Sequence, residues 1–201
     1  MPTTTKMGIV YPASTDLVKN GATAMGTIST TVDNKTGLIL LSTTTFSATA
    51  AQSVSNCFSA TFDNYRIIVD LTAVTADADV YLRLRTGSTD VTSNYQLALR
   101  GIKTDGTSED YGTTSLGYFF IGSCDAGTSN HSYCSSIDLS YPFLAQRTLL
   151  NLVSTTVTST GAFRGMAGGS ANTNATSYES ITVGATSGNI TGTISIYGYN
   201  K

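Results

Sequence analysis

His131 is the only histidine of the chain, and it lies between Cys124 and Cys134 in the stretch GTSNHSYCSS. A cysteine nucleophile with His131 as its base is therefore the one nucleophile–base pairing this stretch can offer. No G-x-S-x-G elbow accompanies the histidine, so a serine triad has no support. One His and two Cys lack the paired spacing of a zinc site, and the plain reading is a loop histidine with no metal and no cofactor. Of the thirteen acidic residues only Glu109 and Glu179 are glutamates. Glycoside hydrolysis needs two carboxylates a fixed distance apart. Asp105, Glu109 and Asp110 cluster in one segment, where they could instead offer oxygens to calcium. They lack EF-hand spacing, and Asp105-Gly106 is also an ordinary turn pair. Asp77 and Asp79 read as a solvated turn.

Sugar-binding sites place aromatic rings against the apolar faces of sugars, with carboxylates, amides and hydroxyls nearby. The chain has eleven Tyr and no Trp. Tyr111, Tyr133 and Tyr178 each lie in or beside a polar segment, which makes them candidate exposed rings. The segments 105–114 and 125–133 hold Asp105, Glu109, Asp110, Tyr111, Asn130, His131 and Tyr133, the set expected to contact a glycan or other receptor. The competing reading is that the tyrosines are half-buried packing residues and the segments mere connectors.

The elements that must position these residues are read from composition and periodicity. Charged residues are 12% and hydrophobic residues 40%, with a net charge of −2. That balance excludes a disordered chain. With no Lys/Arg stripe to displace counterions, it also argues against nucleic acid. Ser and Thr fill the place of the missing charge, and Thr suits a pleated surface. No apolar run is long enough for a membrane helix. The start, MPTTTKMGIVYPAS, does not read as a signal peptide, so synthesis in a cytoplasm is expected. Three cysteines without such a signal argue against a disulfide framework, although a Cys124–Cys134 bridge across one loop remains open.

Residues 13–34 are the one helix candidate. Leu17, Val18, Met25, Ile28 and Val32 fall near one face in about two weak heptads. Gly21 and Gly26 weaken it, and so short a helix must pack on the body, on copies of itself or on a partner. From Gly37 onward short alternating strands follow. They are expected at 38–46, 65–71, 80–85, 95–99, 115–123, 133–144, 147–158, 178–185 and 190–199. In VYLRLR, Val80, Leu82 and Leu84 should point inward and Tyr81, Arg83 and Arg85 outward. Turns are expected at 86–94, 105–114, 125–132 and 168–177. With no βαβ rhythm, the fold class is all-β: an antiparallel, jelly-roll-like β-sandwich of about eight to ten strands behind one short helix.

Three segments carry a resemblance. Tyr11-Pro12-Ala13-Ser14-Thr15-Asp16-Leu17-Val18-Lys19-Asn20-Gly21-Ala22-Thr23-Ala24-Met25, continuing to Thr31-Val32-Asp33, resembles a recurrent opening of tailed-bacteriophage virion proteins. Gly192-Thr193-Ile194-Ser195-Ile196-Tyr197-Gly198-Tyr199 is similar to the last strand of phage fibre and adhesin domains. Phe58-Ser59-Ala60-Thr61-Phe62-Asp63-Asn64-Tyr65 is similar to the same group. The resemblance implies a non-enzymatic virion structural protein, a homotrimer whose residues 1–36 anchor it to other virion proteins and whose residues 37–201 form the displayed body. The absence of a long shaft favours a stubby knob. The expected role is a short tail fibre or tip adhesin that contacts host-surface glycan. A capsid decoration protein or head fibre, and a polysaccharide depolymerase, are the alternatives.

Overall fold

A computed structural model describes residues 21, 23, 25–28, 37–126, 133–158 and 160–200. The stretch through Ile39, with Asn200, forms one compact unit, and Leu40–Tyr199 forms another. In the first unit Gly21, Thr23 and residues 25–28 are helical, as the pattern of 13–34 anticipates. Met25 is exposed and Ile28 half-buried, whereas Leu17, Val18 and Val32 lie outside the described residues.

Thirteen strands are described, in the order β1 Leu38–Thr49, β2 Ala51–Val54, β3 Asn64–Val74, β4 Ala78–Thr86, β5 Thr89–Asp90, β6 Tyr95–Lys103 and β7 Ser108–Leu116. They continue with β8 Phe119–Cys124, β9 Tyr133–Ser140, β10 Thr148–Val157, β11 Phe163–Asn172, β12 Ser180–Ala185 and β13 Ile190–Tyr199. One sheet of eight runs β1-β13-β3-β9-β10-β11-β6-β7; the second runs β2-β12-β4, with β5 and β8 both pairing β4. The pairs β1:β13, β2:β12, β3:β9 and β4:β8 are those of a long antiparallel ribbon rolled onto itself. Its sheets, β1-β13-β3-β9 and β2-β12-β4-β8, have the strand order of a jelly roll. Two insertions, β5–β7 between β4 and β8 and β10–β11 between β9 and β12, pair with each other through β6 and β11 and add four strands to the first sheet, while the second gains only β5.

The period-two patterns explain the core. Tyr65, Ile67, Val69 and Leu71 of β3, Val80, Leu82 and Leu84 of β4, Ile137 and Leu139 of β9 and Ile194 and Ile196 of β13 are all buried. The inward residues of β3 and β9 stand opposite each other in register, Ile67 against Ile137 and Tyr65 against Leu139, so their side chains share one face.

Several expectations are corrected. Tyr81 is buried although it alternates away from the core side of β4; its ring lies over Gly184 of β12, where no side chain competes for the space. The segment 105–114 is not a loop. Its turn ends by Thr107, and Ser108–Leu116 is an edge strand whose half-buried face carries Glu109, Tyr111, Thr113 and Leu116 among polar neighbours. The expected turn at 168–177 hides the end of β11, where Gly168 lets the backbone close on Ala98 and Leu99 of β6. The strand expected over 115–123 is two strands on different sheets, joined by Gly117 and Tyr118. The strand at 133–144 stops at Ser140, because Tyr141 turns to a positive φ of 62° before Pro142.

Among the described glycines, the least room for a side chain lies at a register shift in β13. A Cβ on Gly192 would stand 2.0 Å from the Asp70 carbonyl oxygen of β3, whereas one on Gly112 of β7 would meet nothing within 4 Å. We expect Gly192→Ala to cost on the order of 3 kcal/mol, by forcing β13 off β3. Gly112→Ala should change stability by less than about 0.5 kcal/mol. Urea midpoints at unchanged m-value check both.

Candidate functional site

The hairpin β6–β7 sorts the expected site residues onto two faces. At its turn, Asp105 accepts hydrogen bonds from the Thr107 backbone N–H (2.8 Å) and hydroxyl (2.6 Å), which hold its carboxyl below the usual range. Asp105 is thus occupied in closing its own turn. Asp110 alternates outward and pairs with Arg100, its register partner on β6, at 3.4 Å in the open. Glu109 and Tyr111 alternate inward.

Glu109 is the hub of that inner end. Lys103 Nζ lies 2.5 Å from one of its oxygens; Arg164 Nε of β11 lies 3.6 Å from the other, which also accepts the Tyr111 hydroxyl at 2.6 Å. The hydrogen bond from Lys103, then that from Tyr111, holds the Glu109 carboxyl below its ordinary value. Arg164 also donates to the Ser123 hydroxyl of β8. Burial, and then donation to Glu109, pushes the Tyr111 phenol up to about 12, so it stays protonated and fixed.

Beyond Tyr111 the two sheets part. The eight-stranded sheet is too wide for the second sheet to cover, so β7 overhangs the edge strand β8. Between them lies a cleft of about 320 Å³ lined by Asp79, Leu97, Tyr111, Thr113, Tyr118 and Phe120, among others. Tyr111 and Phe120 hold their ring centroids 5.3 Å apart. Tyr118, in the two-residue link between the sheets, stacks on Tyr81 at 5.2 Å. Arg83 lies 4.7 Å from the Tyr81 ring centre and 5.9 Å from that of Tyr118. Arg83 also donates to the Gly117 carbonyl at 3.0 Å, which fixes the link.

Asp79 enters the cleft from β4. Thr186 clamps its backbone at both ends, the hydroxyl accepting from Asp79 N and the Thr186 N–H donating to Asp79 O, each at 3.0 Å. No hydrogen bond or ion pair reaches its carboxylate from any described residue. Desolvation raises its pKa, opposed in part by the Arg164 charge. The cleft thus offers aromatic rings, hydroxyls and one unengaged carboxylate, a set suited to holding a polar ring with an apolar face. Glu109, with both oxygens occupied, is not among its lining residues, and Asp110 is turned to Arg100.

Of the seven expected contact residues, Tyr111 and Asp110 line the cleft, Asp110 with its carboxylate paired to Arg100, while Glu109 supports Tyr111 from behind. Asn130 and His131 lie outside the described residues. Tyr133 is corrected: it is a core residue, its hydroxyl donating to the Ile121 carbonyl at 2.6 Å. Tyr178 is equally buried and donates to Asn172 at 3.2 Å. Asp79, Tyr118 and Phe120 were missed because they come from two distant parts of the chain, β4 and the start of β8, that only the fold brings together with Tyr111. Asp79 also departs from the solvated turn expected of it. Among the described residues no group of three or more His, Cys, Asp or Glu could hold a metal, and no helix is long and apolar enough to cross a membrane.

A second surface is the outer face of β6, β10 and β11. Ile102 (56% exposed), Val153 (58%) and Phe163 (47%) border an apolar hollow of about 570 Å³, floored by Gly165 and Ala167. No family model, no curated protein and no solved structure matches the chain.

All three thiols are free, so Cys124 and Cys134 are not bridged. Cys57 and Cys124 are buried, and burial pushes each up to about 12, whereas Cys134 is exposed on the outer face of β9. A thiol-reactive dye should therefore modify one cysteine of the native protein within minutes and all three after unfolding.

The depressed Glu109 carboxyl fixes the sign of a pH effect. Its contribution is complete above the unfolded value near 4.5 and is lost as pH falls through the lower folded value. Glu109→Gln should cost about 1–2 kcal/mol at pH 7, because Lys103 and Arg164 lose their counter-charge while remaining partly solvated. The gap between wild type and variant should narrow by pH 3, as read from denaturant midpoints at the two pH values.

Proposed function

We propose that the chain is a non-enzymatic bacteriophage virion protein, a short tail fibre or tip adhesin whose β body holds a host-surface glycan in the edge cleft. The observation that carries this reading is the convergence of Tyr111, Tyr118 and Phe120 with the unengaged Asp79 in a cleft of about 320 Å³. These groups stand on strands and a two-residue link rather than on long loops, so the site is formed before a ligand arrives. The virion assignment rests on the resemblance of the opening segment, of Phe58–Tyr65 and of the last strand, Gly192–Tyr199. In that setting residues 1–36 anchor a homotrimer to other virion proteins, and three clefts act together. A single sugar contact is weak, and three on one platform raise avidity without new contacts.

A second reading, capsid decoration, is favoured by the outer face around Ile102, Val153 and Phe163. Singly exposed apolar residues are ordinary, but a continuous patch on a flat sheet suits contact with a neighbouring subunit. In that reading the patch is covered on the particle and the cleft is secondary.

The readings separate by experiment. Purified protein should compete with phage for adsorption to host cells if it is the adhesin. Tyr118→Ala, which removes an aromatic wall, should weaken that competition about tenfold and shift Tm by no more than about 4 °C. Wild-type protein that does not compete, while Val153→Asp particles lose the protein from their shells, would favour decoration.

A further inference from the structure

The cleft has a charge character that narrows its ligand. The cations near it are paired with other groups, and Arg164 acts on Asp79 only through its charge. Lys103 and Arg164 sit on Glu109. Arg83 lies near Asp90, at 3.8 Å, and donates to the Gly117 carbonyl. Arg100 sits on Asp110. The Asp79 carboxylate is the charge left over, half-buried and without a partner among the described residues. A carboxylate in that position is stabilised most by a cation that brings its own hydrogen-bond donors.

The surroundings add to this. Asp79 also borders a shallow groove of about 350 Å³, lined with Asp77, Ser123, Asp125 and Thr186, that opens beside the cleft. Asp77 accepts the Ala126 N–H there at 2.6 Å, which leaves its negative charge in place. On the cleft side, the faces of Tyr111 and Tyr118 present negative π density, which attracts cations as well as the C–H faces of sugars. One continuous surface is thus aromatic at one end and acidic at the other, with Asp79 at the junction. An acidic sugar would set a second carboxylate against Asp79 in a partly desolvated site, where like charges repel strongly.

We propose that the cleft binds an amine-bearing glycan, with the protonated amino group of a hexosamine on the Asp79 carboxylate and the sugar ring against Tyr111 and Tyr118. The inference rests on the reading of the cleft as a glycan site and adds the chemical class of the glycan. The acidic groove would receive the next amino sugar along the chain. Acetylation of the amine removes its charge and adds bulk, so the N-acetylated sugar should be a poor ligand.

Calorimetric titration of the full-length protein with four probes tests this. They are oligomers of glucosamine with free amines, the N-acetylated oligomers of equal length, uronic acid oligomers and a lysine oligomer of equal charge. We expect the free-amine oligomer to bind at least tenfold more tightly than each of the other three. Asp79→Asn should lower its affinity to that of the N-acetylated oligomer, with Tm little changed. Equal or tighter binding of the N-acetylated or uronic acid oligomers overturns the amine assignment and leaves the cleft a glycan site. Equal binding of the lysine oligomer overturns it too, because charge alone would then suffice. Failure of every oligomer to bind also overturns it; the adhesin reading falls with it only if the wild-type protein fails to compete for adsorption as well.

Discussion

The sandwich depends on tyrosine hydroxyls buried between its layers. Tyr95 of β6 is fully buried, yet its oxygen accepts from the Leu84 N–H at 3.0 Å and its hydroxyl donates to the Val91 carbonyl at 3.2 Å. The residue therefore ties the inserted strand to β4 of the opposite sheet. Tyr133 does the same from β9 to β8 through the Ile121 carbonyl. Tyr65 closes on Ser59, accepting its N–H at 2.8 Å and donating to its carbonyl at 2.9 Å. Apolar contacts between sheets tolerate sliding; a buried hydroxyl bonded to one backbone atom does not, since leaving either group unpaired costs about 1–3 kcal/mol. Burial drives these phenols above their ordinary pKa, which favours the neutral donor form.

The cleft follows from that fixed alignment. A jelly roll of eight strands has sheets of equal width and no overhang. Here the two insertions add β10, β11, β6 and β7 to one sheet, while the other gains only the two-residue β5. The link Gly117–Tyr118 then carries the chain from the overhanging edge to β8, which closes one end of the gap. The charge hub of Lys103, Glu109 and Arg164 substitutes for the missing sheet at the other end. It seals the core beneath Tyr111 with polar groups that satisfy one another, as a half-covered sheet end requires.

Much of this architecture was legible in the sequence, because β3, β4, β9 and β13 alternate apolar and polar residues with the strict period of a half-buried strand. The body strand 190–199 was readable to the residue. β7 and β11 were not. β7 carries SEDYGTTSL, in which Glu109 and Thr113 occupy inward positions that hydrophobic patterning reserves for apolar side chains. β11 carries six small residues in FRGMAGGSAN, several of which local rules assign to a turn, although they allow close strand packing. The site was legible only in part for a related reason. Exposure of a tyrosine cannot be read from polar neighbours: Tyr133 and Tyr178 follow polar segments yet point inward. Tyr118 has the reverse setting, with Leu116, Phe119, Phe120 and Ile121 around it in sequence, and yet lines the cleft. Asp79 lies in β4 just before the apolar run Val80-Tyr81-Leu82, and nothing local says that its carboxylate stays without a partner.

That unpartnered carboxylate contrasts with the carboxylates that the fold does neutralise. Arg66 and Asp138 form two hydrogen bonds of 2.9 Å, with the Tyr199 hydroxyl donating to the same carboxylate. Glu109 is met by three donors or cations, and Asp90 is met by Arg83, Arg85 and Thr182. The fold thus has ample means to neutralise a carboxylate, and does so at each of these sites. Leaving Asp79 half-desolvated without such a partner works against stability. Groups held in that way belong more often to binding surfaces than to scaffolds, because a ligand can supply the missing contact. The apolar outer face lies across the wide sheet from the inward residues that line the cleft, since both are set by opposite phases of the same strand alternation. Arg100 and Ile102 point one way, Leu97 and Leu99 the other. A partner on the outer face therefore need not obstruct the cleft, and one sheet can serve assembly and capture at the same time.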